Sequence, residues 1–177
     1  MTIGIDISQL VYENTGVANY LQNFVQNLLD LDKKNQYILF FSSLRNKLNT
    51  NNLFQKESAR VEIKKFRIPP AILDILWNKL HIIPIENLIG DIDIFITSDW
   101  TEPPVKRAKK VTILYDLIVY KYPQETAQKI VNVQKRKLNW VKKETDKILC
   151  ISKSTAEDAK KILGITEDKL EIMYPGI

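Results

Sequence analysis

Ile92-Asp93-Ile94-Phe95-Ile96-Thr97 and Lys110-Val111-Thr112-Ile113-Leu114-Tyr115 are the stretches that decide the fold. Both are short, rich in β-branched residues and nearly continuous in apolar character. Runs of that kind suit strands buried on both faces, as in a parallel sheet covered by helices. Working outward, the same signal recurs at Ile3-Gly4-Ile5-Asp6-Ile7, Gln36 to Ser42, Arg60 to Phe66, Ile148 to Ile151 and Lys169 to Tyr174. Between the runs lie helical patterns. Val17, Tyr20, Leu21, Phe24, Val25 and Leu28 recur at helical spacing behind Thr15, a good cap. Pro69-Pro70 opens a helix through Leu80, and Pro84 ends it before a turn closing at Gly90. A long helix covers about 124–144, after an apolar loop at Leu117-Ile118-Val119. Ser152 or Ser154 caps a last helix that stops at Gly164, and Thr166 caps one further turn. Residues 43–59 are polar and Asn-rich and read as a loop with at most a short helix.

Alternating strands and helices with right-handed crossovers predict an α/β, Rossmann-like, doubly wound parallel sheet with helices on both faces. The expected strand order is 3-2-1-4-5-6-7. In such a sheet, ligands sit beyond the C-terminal ends of the strands, near the point where strand order reverses. The loops to inspect are therefore Thr15-Gly16-Val17 after the first strand, Ser98-Asp99 after the fourth, Tyr115-Asp116 at the fifth, and Ser152-Lys153 after the sixth.

Composition narrows the chemistry. The chain has 177 residues, 45% of them apolar and 27% charged, which suits a globular domain with a substantial core. It contains one cysteine and one histidine, so a soft-ligand metal site is not expected and no internal disulfide can form. Cys150 lies in an apolar run and reads as a buried, inert thiol. No stretch approaches the length of a membrane span, and the first strand begins without a basic leader, which predicts a cytoplasmic protein. The net charge of +5 concentrates at Lys106-Arg107, Lys109-Lys110 and along 129–143. No aromatic–basic module accompanies it, so nucleic acid is not an expected partner. On the long helix, Lys129, Lys135, Arg136, Lys142 and Lys143 oppose Ala127, Ile130, Val131, Gln134, Leu138 and Val141, with Trp140 beside them. That basic face is either simply solvated or a peripheral contact for an anionic membrane at its inner face.

Two readings stand at each site residue. Gly16, before a helix N-terminus, either lets a diphosphate or sugar approach closely or serves only as a turn residue. Asp116 either acts as a base or hydroxyl binder, or caps the next turn. Tyr115 lines the same cleft or packs in the core. His81 and Trp77 read as structural.

Taken in order, these segments resemble the N-terminal domain of the family 4 retaining glycosyltransferases, which have the two-domain GT-B fold. Thr15-Gly16-Val17 with Tyr20 is similar to the family's T-G-I-G-R-Y loop, and Leu76-Trp77 with Pro84 to its L-W…P stretch. Gly90-Asp91-Ile92-Asp93-Ile94-Phe95 resembles G-A-D-V-F, with Pro103-Pro104 in the loop after it. Val111-Thr112-Ile113 with Asp116-Leu117-Ile118 resembles V-T-I-H-D-L-I, and Tyr122-Pro123 resembles R-Y-P. Ile151-Ser152-Lys153-Ser154 and Tyr174-Pro175-Gly176-Ile177 are similar to I-S-x-x-S and Y-P-G-V. The chain departs from the family at three places: Ala18 replaces the second loop glycine, Asn19 replaces a common arginine, and Tyr115 stands where the family's sugar-contacting histidine precedes the aspartate, in a strand one residue longer.

The resemblance implies that residues 1–177 are the acceptor-side domain of a glycosyltransferase of polysaccharide biosynthesis, hexosyltransferase-like. A C-terminal nucleotide-sugar-binding domain carrying a Glu-x7-Glu motif would be missing, and the fragment alone would be inactive. The donor is a nucleotide sugar acting as co-substrate, the acceptor a glycan or lipid-linked glycan, and neither cofactor nor metal is expected. Asp116 and Tyr115 take the catalytic positions. Thr15, Gly16, Val17, Ser98, Asp99, Ser152 and Lys153 take the substrate-binding ones. The rival expectation is a non-catalytic sugar- or protein-binding subunit that pairs with a separate donor-binding chain.

Overall fold

In the computed structural model, residues 1–45 and 59–175 are described; the expected loop at 43–59 and the final Gly176-Ile177 fall largely or wholly outside them. The strands are β1 (Thr2–Asp6), β2 (Gln36–Ser42), β3 (Val61–Phe66), β4 (Ile94–Thr97), β5 (Lys109–Leu114), β6 (Lys147–Cys150) and β7 (Leu170–Ile172). They form one sheet in the order β3-β2-β1-β4-β5-β6-β7. Every pairing is parallel, with Ile5 opposite both Leu39 and Ile96, and Leu114 opposite Cys150. The expected order and direction are both found.

The helices divide unequally between the faces. Helix α1 (Gly16–Leu31) covers one face, and its Leu21 and Val25 are fully buried against Ile5, Leu39 and Ile113. Each such side chain contributes about 1.5–3 kcal/mol of burial. On the other face, Phe40 and Phe95 pack on Trp77, whose ring is fully buried as expected. That tryptophan follows α2 (Pro70–Leu73), which continues through Asp74–Lys79 in π-helical geometry. The short α3 (Glu86–Ile89) completes this cluster. Further along, Leu114, Ile148 and Cys150 pack on α5 (Gln128–Glu144) and α6 (Lys153–Asp158). Cys150 is buried as expected, and burial pushes its thiol up to about 11.

Gly4 lies where β1 meets β4. A Cβ there would sit 2.8 Å from the Phe95 ring, so glycine is set by packing at this position. Gly164 ends the last helical stretch in the left-handed region, at φ 67°, as its position predicted. His81 and Ile83 also have positive φ, 54° and 62°. Their segment is tied down because the Trp77 indole donates to the Ile83 carbonyl, at 3.0 Å, and His81 Nδ1 lies 2.8 Å from the Trp77 carbonyl. His81 stacks on Trp140 and meets Glu144, confirming a structural role.

Three local expectations need adjusting. The expected apolar loop at Leu117-Ile118-Val119 contains a helical turn, α4 (Ile118–Lys121), because its buried Val119 turns inward. The long helix starts at Gln128, after a separate 3₁₀ turn at Pro123–Glu125. Thr166 stands at the start of a 3₁₀ turn, Glu167–Lys169, without its side chain bonding the turn's backbone.

Candidate functional site

The order reversal lies between β1 and β4, and the residues of interest gather beyond it. Thr15 Oγ1 accepts the Ala18 N–H at 3.2 Å and donates to the Tyr12 carbonyl at 2.9 Å. This sets Gly16 as the first residue of α1. Gly16 is not among the residues with positive φ, and a Cβ there would meet nothing within 4 Å. Neither backbone conformation nor internal packing demands glycine at this position.

Across the cleft, Tyr115 ends β5. Its hydroxyl lies 3.1 Å from Ser98 Oγ, its ring makes an edge contact with Tyr20 at 5.5 Å, and its carbonyl accepts from Thr155 Oγ1 at 3.0 Å. Burial, reinforced by nearby Asp99, pushes its phenol well above the ordinary tyrosine range. The group therefore stays protonated and serves as a hydrogen-bonding wall rather than a base. Asp116 follows it and is exposed; its Oδ1 accepts the Ile118 N–H at 3.0 Å. That bond ties it to the first residue of α4, and no described residue bonds its second oxygen.

Beneath the loop after β4 sits a charged group that the sequence reading passed over. Lys137 of α5 is 2% exposed, and its Nζ donates to the Ser98 carbonyl. Burial pulls its pKa down, while Glu102, Asp99 and Asp6 oppose that shift. Gln134 donates to the Asp99 carbonyl at 3.0 Å, so two side chains of α5 hold this loop. Burial also raises the carboxyls of Asp99, Glu102 and Asp6. Helical spacing contained the clue, since Lys137 falls on the same stripe as Gln134, Leu138 and Val141. Glu102, fully buried, accepts from Thr97 and Thr112 and stands 3.7 Å from Lys110.

Two connected spaces result. A groove of about 760 Å³ runs along α1 past Gly16, Val17 and Tyr20 to Tyr115, Asp116 and the segment Met173 to Pro175. A cleft of about 210 Å³ lies between Val17, Asp99, Trp100, Tyr115, Asp116 and Lys137. Val17, Tyr115 and Asp116 line both. Of the expected site residues, the fold thus brings together Gly16, Val17, Asp99, Tyr115 and Asp116, with Ser98 buried behind Tyr115. Thr15, Ser152 and Lys153 stand apart from both spaces. Ser152 caps α6 by accepting the Thr155 N–H at 3.1 Å, and Lys153 is exposed.

The family model of Glycosyltransferase Family 4 matches residues 14–177, which span this whole arrangement from the cap of α1 onward. The chain belongs to Glycosyltransferase Family 4. No curated protein matches it. Membership makes the chain a glycosyltransferase-like domain of the transferase class, on the α/β sheet expected for the N-terminal half of a GT-B enzyme. No helix among the described residues is long and apolar enough to cross a membrane. On the basic face of α5, Arg136 is tied to Asp74, and Lys135 and Lys143 lie over the rings of Tyr120 and Trp140. That leaves Lys129 and Lys142 as its freest cations, both exposed.

Proposed function

We propose that the chain is the acceptor-side half of a retaining glycosyltransferase, moving a sugar from a nucleotide-sugar donor to a glycan or lipid-linked acceptor. The observation that carries this reading is the pairing of Gly16 with Asp116 across one groove at the strand-order reversal. A glycine that the fold itself does not need leaves room for a ligand's atoms beside the first N–H groups of α1, where partial positive charge favours a diphosphate. Opposite it, Asp116 offers an acceptor to a sugar hydroxyl. Asp99 and the protonated Tyr115 wall the cleft in which the acceptor hydroxyl would be oriented. Lys137, through the Ser98 carbonyl, positions that wall.

In this reading, a separate nucleotide-sugar-binding domain supplies most donor contacts. Orientation of both substrates in one water-poor site is the main source of rate, so half of the site has little. The 177-residue chain alone is therefore expected to show no transfer with a panel of nucleotide sugars, while a protein that joins it to a donor-binding domain transfers sugar. Robust turnover by the 177-residue chain would overturn the half-site reading. No turnover by the joined protein, with sugar binding retained, would favour the non-catalytic binding subunit.

A further inference from the structure

Beyond the groove and cleft lies a third space, of about 320 Å³, at the C-terminal ends of β1, β2 and β4. Its volume falls at the small end of the ligand-pocket range. Its floor includes Asp6, the last residue of β1, and Gln9, in the 3₁₀ turn Ser8–Val11 that follows. Gln9 is 7% exposed, yet its side-chain amide makes no hydrogen bond among the described residues. That amide opens onto the space and is available to bond whatever enters it.

A second available donor points the same way. The indoles of Trp77 and Trp140 donate to the Ile83 and Asn78 carbonyls. Trp100, half-buried, has no such partner for its indole N–H among the described residues. It lines both this space and the Asp116 cleft. Tyr12, 45% exposed, stands at the mouth.

We propose that this space is a subsite for a neutral pyranose ring of the acceptor, remote from the reacting hydroxyl; it rests on the glycosyltransferase reading above. Gln9 would donate to and accept from neighbouring ring hydroxyls, and Asp6 would accept one. Aromatic faces at Trp100 and Tyr12 suit the apolar C–H face of a sugar ring. Trp100, shared by the two spaces, sets the path of an acceptor chain from this subsite to Asp116. The Asp6 carboxyl at the floor offers no countercharge to an anionic ring. Arg45, the one cation among the lining residues, is exposed rather than deep.

The test is nitrogen-15 NMR of the 177-residue chain titrated with the methyl glycosides of glucose, galactose, mannose and glucuronic acid. The Gln9 side-chain amide and the Trp100 indole should shift saturably with at least one neutral glycoside. The dissociation constant should be on the order of millimolar, as for other ligands of this size. Gln9→Ala, and independently Tyr12→Ala at an exposed position, should weaken binding about 3- to 10-fold. Three results would overturn the subsite: no saturable shift with any glycoside, shifts confined to the surroundings of Tyr115 and Asp116, or a preference for glucuronide that Arg45→Ala removes. Sugar binding at Gln9 in a joined protein that transfers nothing would leave the subsite standing and remove the transferase reading. Transfer with an unresponsive Gln9 would do the reverse.

Discussion

Carboxylates bond backbone N–H groups at both ends of the sheet, but only the C-terminal end also leaves polar side chains open to pockets. At the N-terminal end, carboxylates close the backbone. Asp93 accepts the Thr2 N–H at 2.7 Å, and Asp146 accepts the Lys110 N–H at 2.8 Å while holding the Lys109 ammonium at 2.9 Å. Arg60 donates to the carbonyls of Asp32 and Asn35. At the C-terminal end, Asp116 is exposed, the Gln9 amide and Trp100 indole lack partners among the described residues, and Gly16 faces open space. Parallel strands all begin at one end, so the unpaired N–H groups there are met by side chains. At the other end the loops are free to present polar groups outward. The contrast separates residues that hold the fold from residues left available to a ligand.

The largest expected effect lies within the structural set. Lys110 is fully buried between Glu144, at 2.8 Å, and Glu102, at 3.7 Å. Lys110→Ala removes the nearest cation from buried Glu102, which keeps only the Thr97 and Thr112 hydroxyls and the field of Lys137, and should cost about 3–5 kcal/mol in chemical denaturation. A loss below 1 kcal/mol would mean that this network is not a structural anchor.

Asp116→Ala should act in the opposite sense, on rate rather than stability. In a protein that also carries the donor-binding half, turnover should fall about 10- to 1000-fold, the range for one positioned polar group. Its unfolding midpoint should move little, because only the bond to the Ile118 N–H is lost. Unchanged turnover would make Asp116 a cap and nothing more.

The two glycines sharpen the contrast further. Gly4→Ala drives a methyl into the Phe95 ring and should destabilise by about 1–3 kcal/mol. Gly16→Ala meets nothing and should change stability by under about 0.5 kcal/mol. A fall in transfer by a stable Gly16→Ala variant would report a ligand's approach; unaltered transfer would return Gly16 to the status of a surface residue.

The smallest effect concerns pH. Burial raises the Asp6 carboxyl above its ordinary value of 3.8. A carboxyl raised by folding contributes stability below its unfolded pKa, and that stability is lost as pH rises through the folded value. Urea midpoints between pH 4 and pH 7 should therefore fall less for Asp6→Asn than for the parent chain. A steeper fall in the variant would show that Asp6 is stabilised as a carboxylate.

Much of the frame was legible in the chain because it depends on local pattern. Ile92–Thr97 and Lys110–Tyr115 are apolar throughout, and only strands covered on both sides make that favourable. Thr15, Ser152 and Gly164 are local chemistry at helix ends, and the structure uses each as a terminus. Asp116 and Gly16 could be named because topology places strand ends at the ligand side.

What only the tertiary structure decided is which polar groups are turned inside and which are left open to a pocket. Lys137 carries the same side chain as Lys135 and Lys142, yet it alone of the three is turned under the Ser98 carbonyl. Gln9 reads as an ordinary loop residue until β2 and the loop after β4 close around it. The sequence by itself determined the strands, their parallel packing and the family. Burial and pairing of single polar side chains depend on contacts between residues far apart in the chain, and no local periodicity encodes them.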